Sequence, residues 1–466
     1  MTDAPSGSPS RPIDVVIVGA GISGLSAAYE LHRRGLSTCV LESRDRAGGV
    51  ILTEHIDGFV VDAGPDSLLV QKPAALELCR ELGLADRLFP TKRPRTAYIY
   101  RGGSLHAIPE ASILGFPTRL VPLASSSLFT TRAKIRMARE VFSRPRASPH
   151  DESIASFVQR HFGREAVEYI AEPLLAGIHA GDVDRLSIRA AFPRLVEAEA
   201  RRGSIIRAFA RRTGTGRTEG VFRSLPGGMG ELIATLCSRL PQGMLRYGGR
   251  VHRIELGADV RVHQEHYPPI AARAVVLAMP AWAVAPLLQP IDAALSDLCG
   301  GIPYWSTATV AFAYPRDAIR HPMRGTGFVV PRKEGLTITA GTWVSSKWPQ
   351  RAPTNHVLLR AFLGGARDPH AVERSDAELV VSAGRDLHAI LGVHGQPAFT
   401  RVYRWHRASP QQEVGHLNRM AEIDQRLTRW PRLAVIGTGF RGVGIPDCIA
   451  DARAEATSVA ERLNGL

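Results

Sequence analysis

Cysteine is scarce and unpatterned in this 466-residue chain: five are scattered at Cys39, Cys79, Cys237, Cys299 and Cys448, with no CxxC spacing. That excludes a disulfide framework and a structural zinc site, and it fits a reducing cytoplasm. Long apolar runs are also missing. The nearest approach, residues 113–129, is interrupted by Pro117, Arg119 and Pro122, and no run reaches the roughly 18 residues needed to cross a bilayer. The first twelve residues, Met1 to Pro12, are rich in Ser and Pro and carry no apolar segment, so they read as a disordered leader and not as a signal peptide. There is no internal repeat, no zinc-finger spacing and no aromatic-and-basic RNA-binding strand, so nucleic acid is not an expected partner. Acidic residues are in deficit, 44 against 58 Lys and Arg, for a formal charge of +14. Most of that positive charge is arginine, and it suits either an anionic lipid surface, a polycarboxylate ligand or a merely solvated exterior.

What is present is a globular chain, 44% hydrophobic, too long for one ordinary core and expected to form two or three domains. Its most informative segment lies near the start. An apolar strand, Ile13 to Val18, leads into Gly19, Gly21 and Gly24 and then a helical stretch to Arg34. Gly19 permits a tight turn, Gly21 lets backbone approach a pyrophosphate, and Gly24 lets helix and strand pack closely. A second strand, Leu36 to Leu41, ends in Glu42, about where an acid holds a ribose hydroxyl roughly 20 residues past the last glycine. This predicts a dinucleotide site, with FAD and NAD both open at this point.

Further along, residues 111–212 read as a mostly helical insert. Ile154, Phe157, Val158 and Phe162 share a stripe closed by Gly163, and Val167, Ile170, Leu174 and Leu175 form another. Arg194, Arg201, Arg202, Arg207, Arg211 and Arg212 follow. Within the insert, Thr131 to Phe142 predicts an amphipathic helix with Ile135, Ala138, Val141 and Phe142 on one face and Arg132, Arg136 and Arg139 elsewhere, suited either to an anionic membrane or to core packing with a wet basic side. At Leu225-Pro226-Gly227-Gly228-Met229 the pattern returns to a glycine turn, a helix to Leu240 and short strands around 250–256 and 274–278. Residues 290–402 are dominated by strands, notably 307–313, 327–330, 336–342 and 357–362, and predict a second, largely antiparallel sheet. Near the end, Leu433 to Ile436 leads through Gly437-Thr438-Gly439 to Pro446 and a helix to about Leu463. Its N-terminus offers backbone N–H groups to the anionic side of a reduced flavin.

Arg46-Ala47-Gly48-Gly49, placed just after the ribose acid, resembles the signature of the FAD-dependent amine oxidase and porphyrinogen oxidase superfamily and shifts the expected cofactor to FAD. Within that superfamily, Glu172 to Asp182 followed by Leu186-Ser187, Gly64-Pro65-Asp66-Ser67, Leu225 to Met229, Gly341-Thr342-Trp343 and Phe440 to Ile449 resemble the protoporphyrinogen oxidases and their coproporphyrinogen-oxidising relatives. The resemblance covers nearly all of the chain after the leader. It implies an α/β fold: a discontinuous, Rossmann-like FAD-binding domain (13–90, 225–290 and 403–466), a substrate domain on a mostly antiparallel sheet (91–110, 213–224 and 291–402), and a membrane-associated helical insert (111–212).

Carried over by motif, the resemblance places FAD phosphates at Gly19, Gly21, Ile22, Ser23 and Gly24, and the ribose at Glu42 and Ser43. Arg46, Gly49, Val50 and Gly64, Pro65, Asp66 and Ser67 fall near the flavin, Val251 by the adenine, and Thr438, Val443, Gly444 and Ile445 by the isoalloxazine. Substrate contacts fall at Gly177, Val329, Trp343 and Phe362. Two departures stand out. Ala97 occupies the place where many relatives have an arginine for a substrate carboxylate, with Arg95 and Arg101 nearby but unaligned, and Pro410-Gln411-Gln412 replaces a usual Pro-Gln-Tyr.

The implied reaction is the six-electron oxidation of protoporphyrinogen to protoporphyrin in haem biosynthesis, in three hydride transfers to flavin N5, with dioxygen reoxidising the flavin to give hydrogen peroxide. Coproporphyrinogen III is the alternative substrate, amine oxidation and a non-catalytic flavin-binding interaction protein are the remoter ones. No His, Asp or Glu stands out as a general base; His179 beside the key helical motif reads as structural. A cytoplasmic, peripherally membrane-associated enzyme is expected, with no metal, and with a homodimer and a haem-pathway partner such as ferrochelatase among its implied assemblies.

Overall fold

A computed structural model describes residues 12–109, 112–113, 116–117, 120–148, 150–210 and 220–465. Residues 1–11 of the expected leader, and Arg211 and Arg212, lie outside the described residues, as does the side chain of His179.

The first sheet is built on Ile13–Val18, which sits centrally between Thr38–Glu42 and Tyr267–Leu277, all parallel. Leu245–Tyr247 extends the parallel array at one side, and Leu433–Val435 pairs parallel with Tyr267–Leu277 at the other. Val260–Gln264 and Val251–Leu256 add an antiparallel meander. Parallel strands covered on both faces need apolar residues at every position, and Ile13–Val18 obliges: Val15 and Ile17 enter one core, Val16 and Val18 the other. The helices Ile22–Arg33, Ala74–Glu81, Gly230–Ser238 and Ile445–Asn464 cover the first face. Ala281–Leu288, Ala293–Gly300 and His416–Leu427 cover the second.

The second sheet has seven strands in the order Phe399–Pro410, Tyr304–Pro315, His356–Gly364, Ala340–Trp343, Gly327–Val329, Ala97–Arg101 and Ser104–Ala107. All neighbours are antiparallel except the Gly327–Val329 and Ala97–Arg101 pair. Two expected boundaries move. The division at 402/403 falls inside Phe399–Pro410, an edge strand of this second sheet, because its ladder with Tyr304–Pro315 continues from Phe399 to Pro410. The division at 290/291 cuts between two helices whose Leu288, Leu295 and Cys299 share the core beneath the first sheet. The strand expected over 336–342 shortens to Ala340–Trp343.

The insert is helical and has its own core, to which Ile154, Phe157, Val158, Phe162, Ile170 and Leu175 contribute, with Gly163 closing the first stripe at φ +90°. Ile99 of the second sheet joins that core and Val329 packs against it, so the insert lies over one face of that sheet. The basic amphipathic segment is rotated from expectation. Ala133 and Met137 point inward, whereas Ile135 and Phe142 stand 52% and 83% exposed. Glu140 sets the rotation: this buried carboxylate accepts from Ser204 Oγ (2.7 Å), the Ile206 N–H (3.1 Å) and His161 Nδ1 (3.0 Å). A buried charge must keep its partners, so its face goes inward and the isoleucine and phenylalanine stay out. Among the described residues, no helix is long and apolar enough to cross a membrane.

Candidate functional site

The turn after the first strand does three different things with its three glycines. Gly19 has φ +106°, and a Cβ there would lie 2.5 Å from the Ala278 carbonyl oxygen. A Cβ on Gly24 would lie 1.9 Å from the Gly19 carbonyl oxygen, so helix and strand touch. A Cβ on Gly21 would meet nothing within 4 Å. That open space sits over the start of Ile22–Arg33, whose N-cap, Gly21, supplies no side-chain cap. The first-turn N–H groups of Ile22, Ser23 and Gly24 and the positive end of the helix dipole therefore face a seat fit for a pyrophosphate.

Glu42, at the end of the neighbouring strand, is 9% exposed, and its carboxylate accepts from the Ala20 N–H (2.9 Å) and the Arg44 N–H (3.0 Å). Ser43 Oγ lies 3.3 Å from the same carboxylate. Beyond it, Arg46 donates to the carbonyls of Ala47 (3.2 Å) and Gly49 (2.9 Å), bracing the loop. Gly48 bridges back to Gly21, and a Cβ on Gly49 would stand 3.4 Å from Gly21 Cα. Val50 is 38% exposed, and its carbonyl is so near Gly64 that a Cβ there would come within 2.1 Å of it. Backbone contacts thus tie the Gly48-Gly49 loop to Gly21, and Val50 to Gly64. Val251 belongs to the same packed core as Val18 and Leu41.

The C-terminal seat converges on the same region. Gly437 has φ +130° and lies against Met279, next to the Ala278 that crowds Gly19 and Gly24. Thr438 and Val443 are half-buried, Gly444 is exposed and Ile445 is buried. One N–H of this helix end is used within the protein: Gly444 donates to Asp447 (3.3 Å), which also holds Lys72 (2.6 Å). Tyr304 closes the turn, its hydroxyl accepting from the Ala281 N–H (3.0 Å), and burial pushes that phenol up to about 12.

Sequence reasoning missed the buried ion cluster beside Gly64. Asp66 pairs with Lys347 (2.9 Å) and Arg360 (3.0 Å) and accepts from Trp348 Nε1 (3.1 Å). Asp62 pairs with Arg351 (3.2 Å) and accepts from Thr53 Oγ1 (2.6 Å) and the Met229 N–H (2.8 Å). Burial alone would raise the Asp66 carboxyl, but Lys347 and Arg360 beside it outweigh that and hold it well below the usual carboxylate range. Its side chain is therefore spent on the second sheet, and only the Asp66 backbone is left for a cofactor. A signal was available: Arg360 sits in the otherwise apolar run Val357 to Leu363, and an arginine there is tolerated only when paired.

On the second sheet, Val329 pairs with Ala340, Ala340 with Phe362, Phe362 with Thr309, and Thr309 with Tyr403. This row forms one face, with Arg360 and Trp405 two residues along from Phe362 and Tyr403. Gly177 faces it: a Cβ there would stand 3.5 Å from Val329 and 3.6 Å from Ala340. Three of the four expected substrate residues, Gly177, Val329 and Phe362, are thereby brought together. Trp343 is not. It lies on the opposite face, fully buried, with its ring 5.4 Å from Tyr98 and 4.9 Å from His321. Successive strand residues alternate faces, and the register that sends Ala340 to the site sends Trp343 away.

Neither neighbour of Ala97 supplies a free cation. Arg95 donates to Thr91 O (2.8 Å), and Arg101 pairs with Glu165 and lies 4.1 Å over the Tyr169 ring. Gln411 is buried against Gly181, and the 172–187 motif docks on 412–414 through Ser187 N to Gln412 O (2.9 Å) and Arg185 to Glu413 (2.9 Å). His416 is no general base: burial holds it below its ordinary value, and Nε2 donates to Phe440 O (2.8 Å). Among the described residues no group of His, Cys, Asp and Glu could hold a metal ion.

Comparison with known proteins identifies the arrangement. Residues 22–460 match the family of flavin-containing amine oxidoreductases. Coproporphyrinogen III oxidase of Bacillus subtilis is 33% identical over 94% of this chain and 96% of its own length. The chloroplastic protoporphyrinogen oxidase of Nicotiana tabacum is 29% identical over 98% of this chain and 87% of its own. A crystal structure from Exiguobacterium, provisionally assigned as a protoporphyrinogen oxidase, superposes with a TM-score of 0.87 at 32% identity, covering 97% of this chain and 99% of that one.

Proposed function

The chain belongs to the flavin-containing amine oxidoreductases, in their porphyrinogen oxidase group, and from that premise we propose that it oxidises coproporphyrinogen III to coproporphyrin III with bound FAD. The observation that carries this reading is the meeting of two elements: the glycine turn and its loops reach Gly64, where a Cβ would stand 3.8 Å from Trp405, and Trp405 belongs to the sheet face whose apolar wall of Val329, Ala340 and Phe362 is faced by Gly177. A side-chain-free helix position opposite a flat apolar face suits a tetrapyrrole laid against a ring cofactor.

FAD supplies a two-electron acceptor that dioxygen regenerates with release of hydrogen peroxide, so three turnovers accomplish the six-electron oxidation. The chain's own contribution is placement. Gly19, Gly21, Gly24 and the N–H groups of Ile22 and Ser23 seat the pyrophosphate, Glu42 takes the ribose, and Gly64, Thr438 and Val443 border the flavin. Phe362 and Val329 keep the substrate dry and oriented. Asp62 and Asp66 are committed to cations and Glu54 accepts from the Tyr403 hydroxyl (2.8 Å), which leaves proton removal to solvent or to the substrate's own pyrroles.

The basic amphipathic insert, suited to membrane delivery of an apolar substrate, leaned towards protoporphyrinogen. The relatives tip the balance the other way, since the Bacillus subtilis protein at 33% identity is named for coproporphyrinogen III and the plant protein at 29% for protoporphyrinogen. The test is a paired assay. Both porphyrinogens are presented to purified enzyme in air, and porphyrin fluorescence is followed with hydrogen peroxide. Faster oxidation of the tetracarboxylate supports this reading, a preference for protoporphyrinogen restores the sequence-based one, and amine oxidation without porphyrin fluorescence defeats both.

Peripheral membrane association is a finer part of the same reading. It is supported by the outward stripe of Ile135 and Phe142 among Arg132, Arg136 and Arg139, with Val121 80% exposed in the preceding helix.

A further inference from the structure

The ion cluster beside Gly64 holds more positive than negative charge. Lys347, Arg351 and Arg360 come from the second sheet, and the carboxylates facing them are Asp62 and Asp66. The next acids outward are already matched: Glu231 pairs with Arg87, and Glu54 with Arg401. Three cations against two carboxylates leave one positive charge in excess. Relative side-chain exposures are 0% for Arg351, 4% for Arg360, 15% for Lys347, 2% for Asp62 and 8% for Asp66, so water reaches the cluster chiefly at Lys347. Three cation donors, Arg351 Nε and Nη1 and Arg360 Nε, find no hydrogen-bond partner among the described residues, against one carboxylate oxygen, Asp62 Oδ2. Isolated buried charge is costly, and a chain that keeps it has something there to stabilise.

The same residues fix the backbone of the loop. Arg360 Nη1 donates to the carbonyls of both Asp62 and Gly64 (2.7 Å for Gly64). Trp405 Nε1 takes the carbonyl of Ala63 (3.2 Å), and Ser224 Oγ that of Asp66 (2.7 Å). Four carbonyl dipoles of the 62–66 segment are thereby satisfied by side chains, and the Arg360 guanidinium lies against Gly64. A ring that accepts two electrons gains negative character, and a water-excluded cation close to it favours that reduced state.

We infer that Arg360 is a positioning residue for the flavin end of the site: it locks the Gly64 wall through two carbonyls and, with Lys347, supplies the uncompensated charge that makes the bound flavin easier to reduce. This rests on the FAD reading above.

The experiment uses purified holoenzyme and measures the midpoint potential of the bound flavin by dye-referenced reductive titration, together with flavin retention on dialysis and thermal unfolding. In Arg360→Met the oxidised form gains at least tenfold over the reduced form, a shift of about −30 mV for a two-electron couple. Arg360→Lys keeps the charge but not the fork, so its potential stays within threefold of wild type while flavin is lost faster. Lys347→Met moves the potential in the same direction as Arg360→Met, and it decides the matter if Arg360→Met does not fold. Wild-type potentials in these variants alongside lowered melting temperatures overturn the inference and reduce the cluster to an interdomain lock. A wild-type protein that takes up no FAD defeats the underlying reading instead.

Discussion

Gly21 and Gly24 lie three residues apart on one turn, yet substitution should separate binding from folding. A methyl on Gly24 would lie 1.9 Å from the Gly19 carbonyl, whereas one on Gly21 enters space that no protein atom occupies. Gly24→Ala should therefore force strand and helix apart at a cost of about 3 kcal/mol, at the upper end for overpacking. Gly21→Ala, at an N-cap with ordinary negative φ, should cost only about 1 kcal/mol, the gap between glycine and alanine at such a position, while weakening FAD about tenfold or more, each tenfold being about 1.4 kcal/mol. Urea unfolding of the apoproteins and flavin fluorescence titration measure the two effects. Equal stability losses in both variants would show that Gly21 is also a packing glycine. The roles of this turn were legible in the sequence because they are local, fixed within a strand, a turn and a helix. Trp343 and Arg360 were not. Which face Trp343 takes depends on the register of its strand, where Gly341 pairs with Phe328 and Ala361 and Trp343 with Leu359, and Arg360 finds its partners roughly 300 residues earlier in the chain.

At the scale of elements, the helical insert shows how one buried acid can overrule an apolar stripe. Periodicity alone groups Ile135, Ala138, Val141 and Phe142, but hydrogen bonds to Glu140 turn the Ala133 and Met137 side inward. The stripe was legible and its orientation was not, because Ser204 and His161, which fix Glu140, belong to distant helices. The consequence is an exposed apolar-and-basic ridge in which Ile135 and Phe142 stand in water while Arg136 ties back to the carbonyls of Arg160 and His161. Ile135→Glu with Phe142→Glu should leave the melting temperature within about 2 °C, since both side chains are already largely in water. The same pair should abolish flotation with vesicles containing phosphatidylglycerol at low salt, through loss of insertion and added like charge. Turnover on a soluble porphyrinogen should be unchanged. Undiminished flotation would relocate any membrane contact to another surface.

The whole molecule is threaded so that its first sheet cannot be completed until the chain is nearly finished. Ile13–Val18 lies beside Tyr267–Leu277, which in turn pairs with Leu433–Val435; two strands of the second sheet lie between the first two of these, and the other five between the last two. Such an arrangement has few local contacts to hold the first sheet together while the rest comes and goes. FAD changes that balance, since the residues proposed to bind it come from all three segments: Gly21 and Glu42, the Gly64 wall with its second-sheet cations, and Thr438 to Ile445. A ligand that binds only the native state stabilises it by RT ln(1 + [L]/Kd), about 2.7 kcal/mol at one hundred times Kd. Apoprotein should therefore melt several degrees below holoprotein, and titrating FAD back should raise the midpoint in proportion to the logarithm of its concentration. The effect should also be one of cooperativity. Trp430 packs with the first sheet while Trp343 and Trp348 are buried with the second, so variants keeping Trp430 or the Trp343 and Trp348 pair report on separate sheets. With FAD both should lose their signal together, and without it Trp430 should go earlier. Coincident transitions in the apoprotein, at the holoprotein's temperature, would mean that the Asp62 and Asp66 ion cluster alone suffices to join the two sheets.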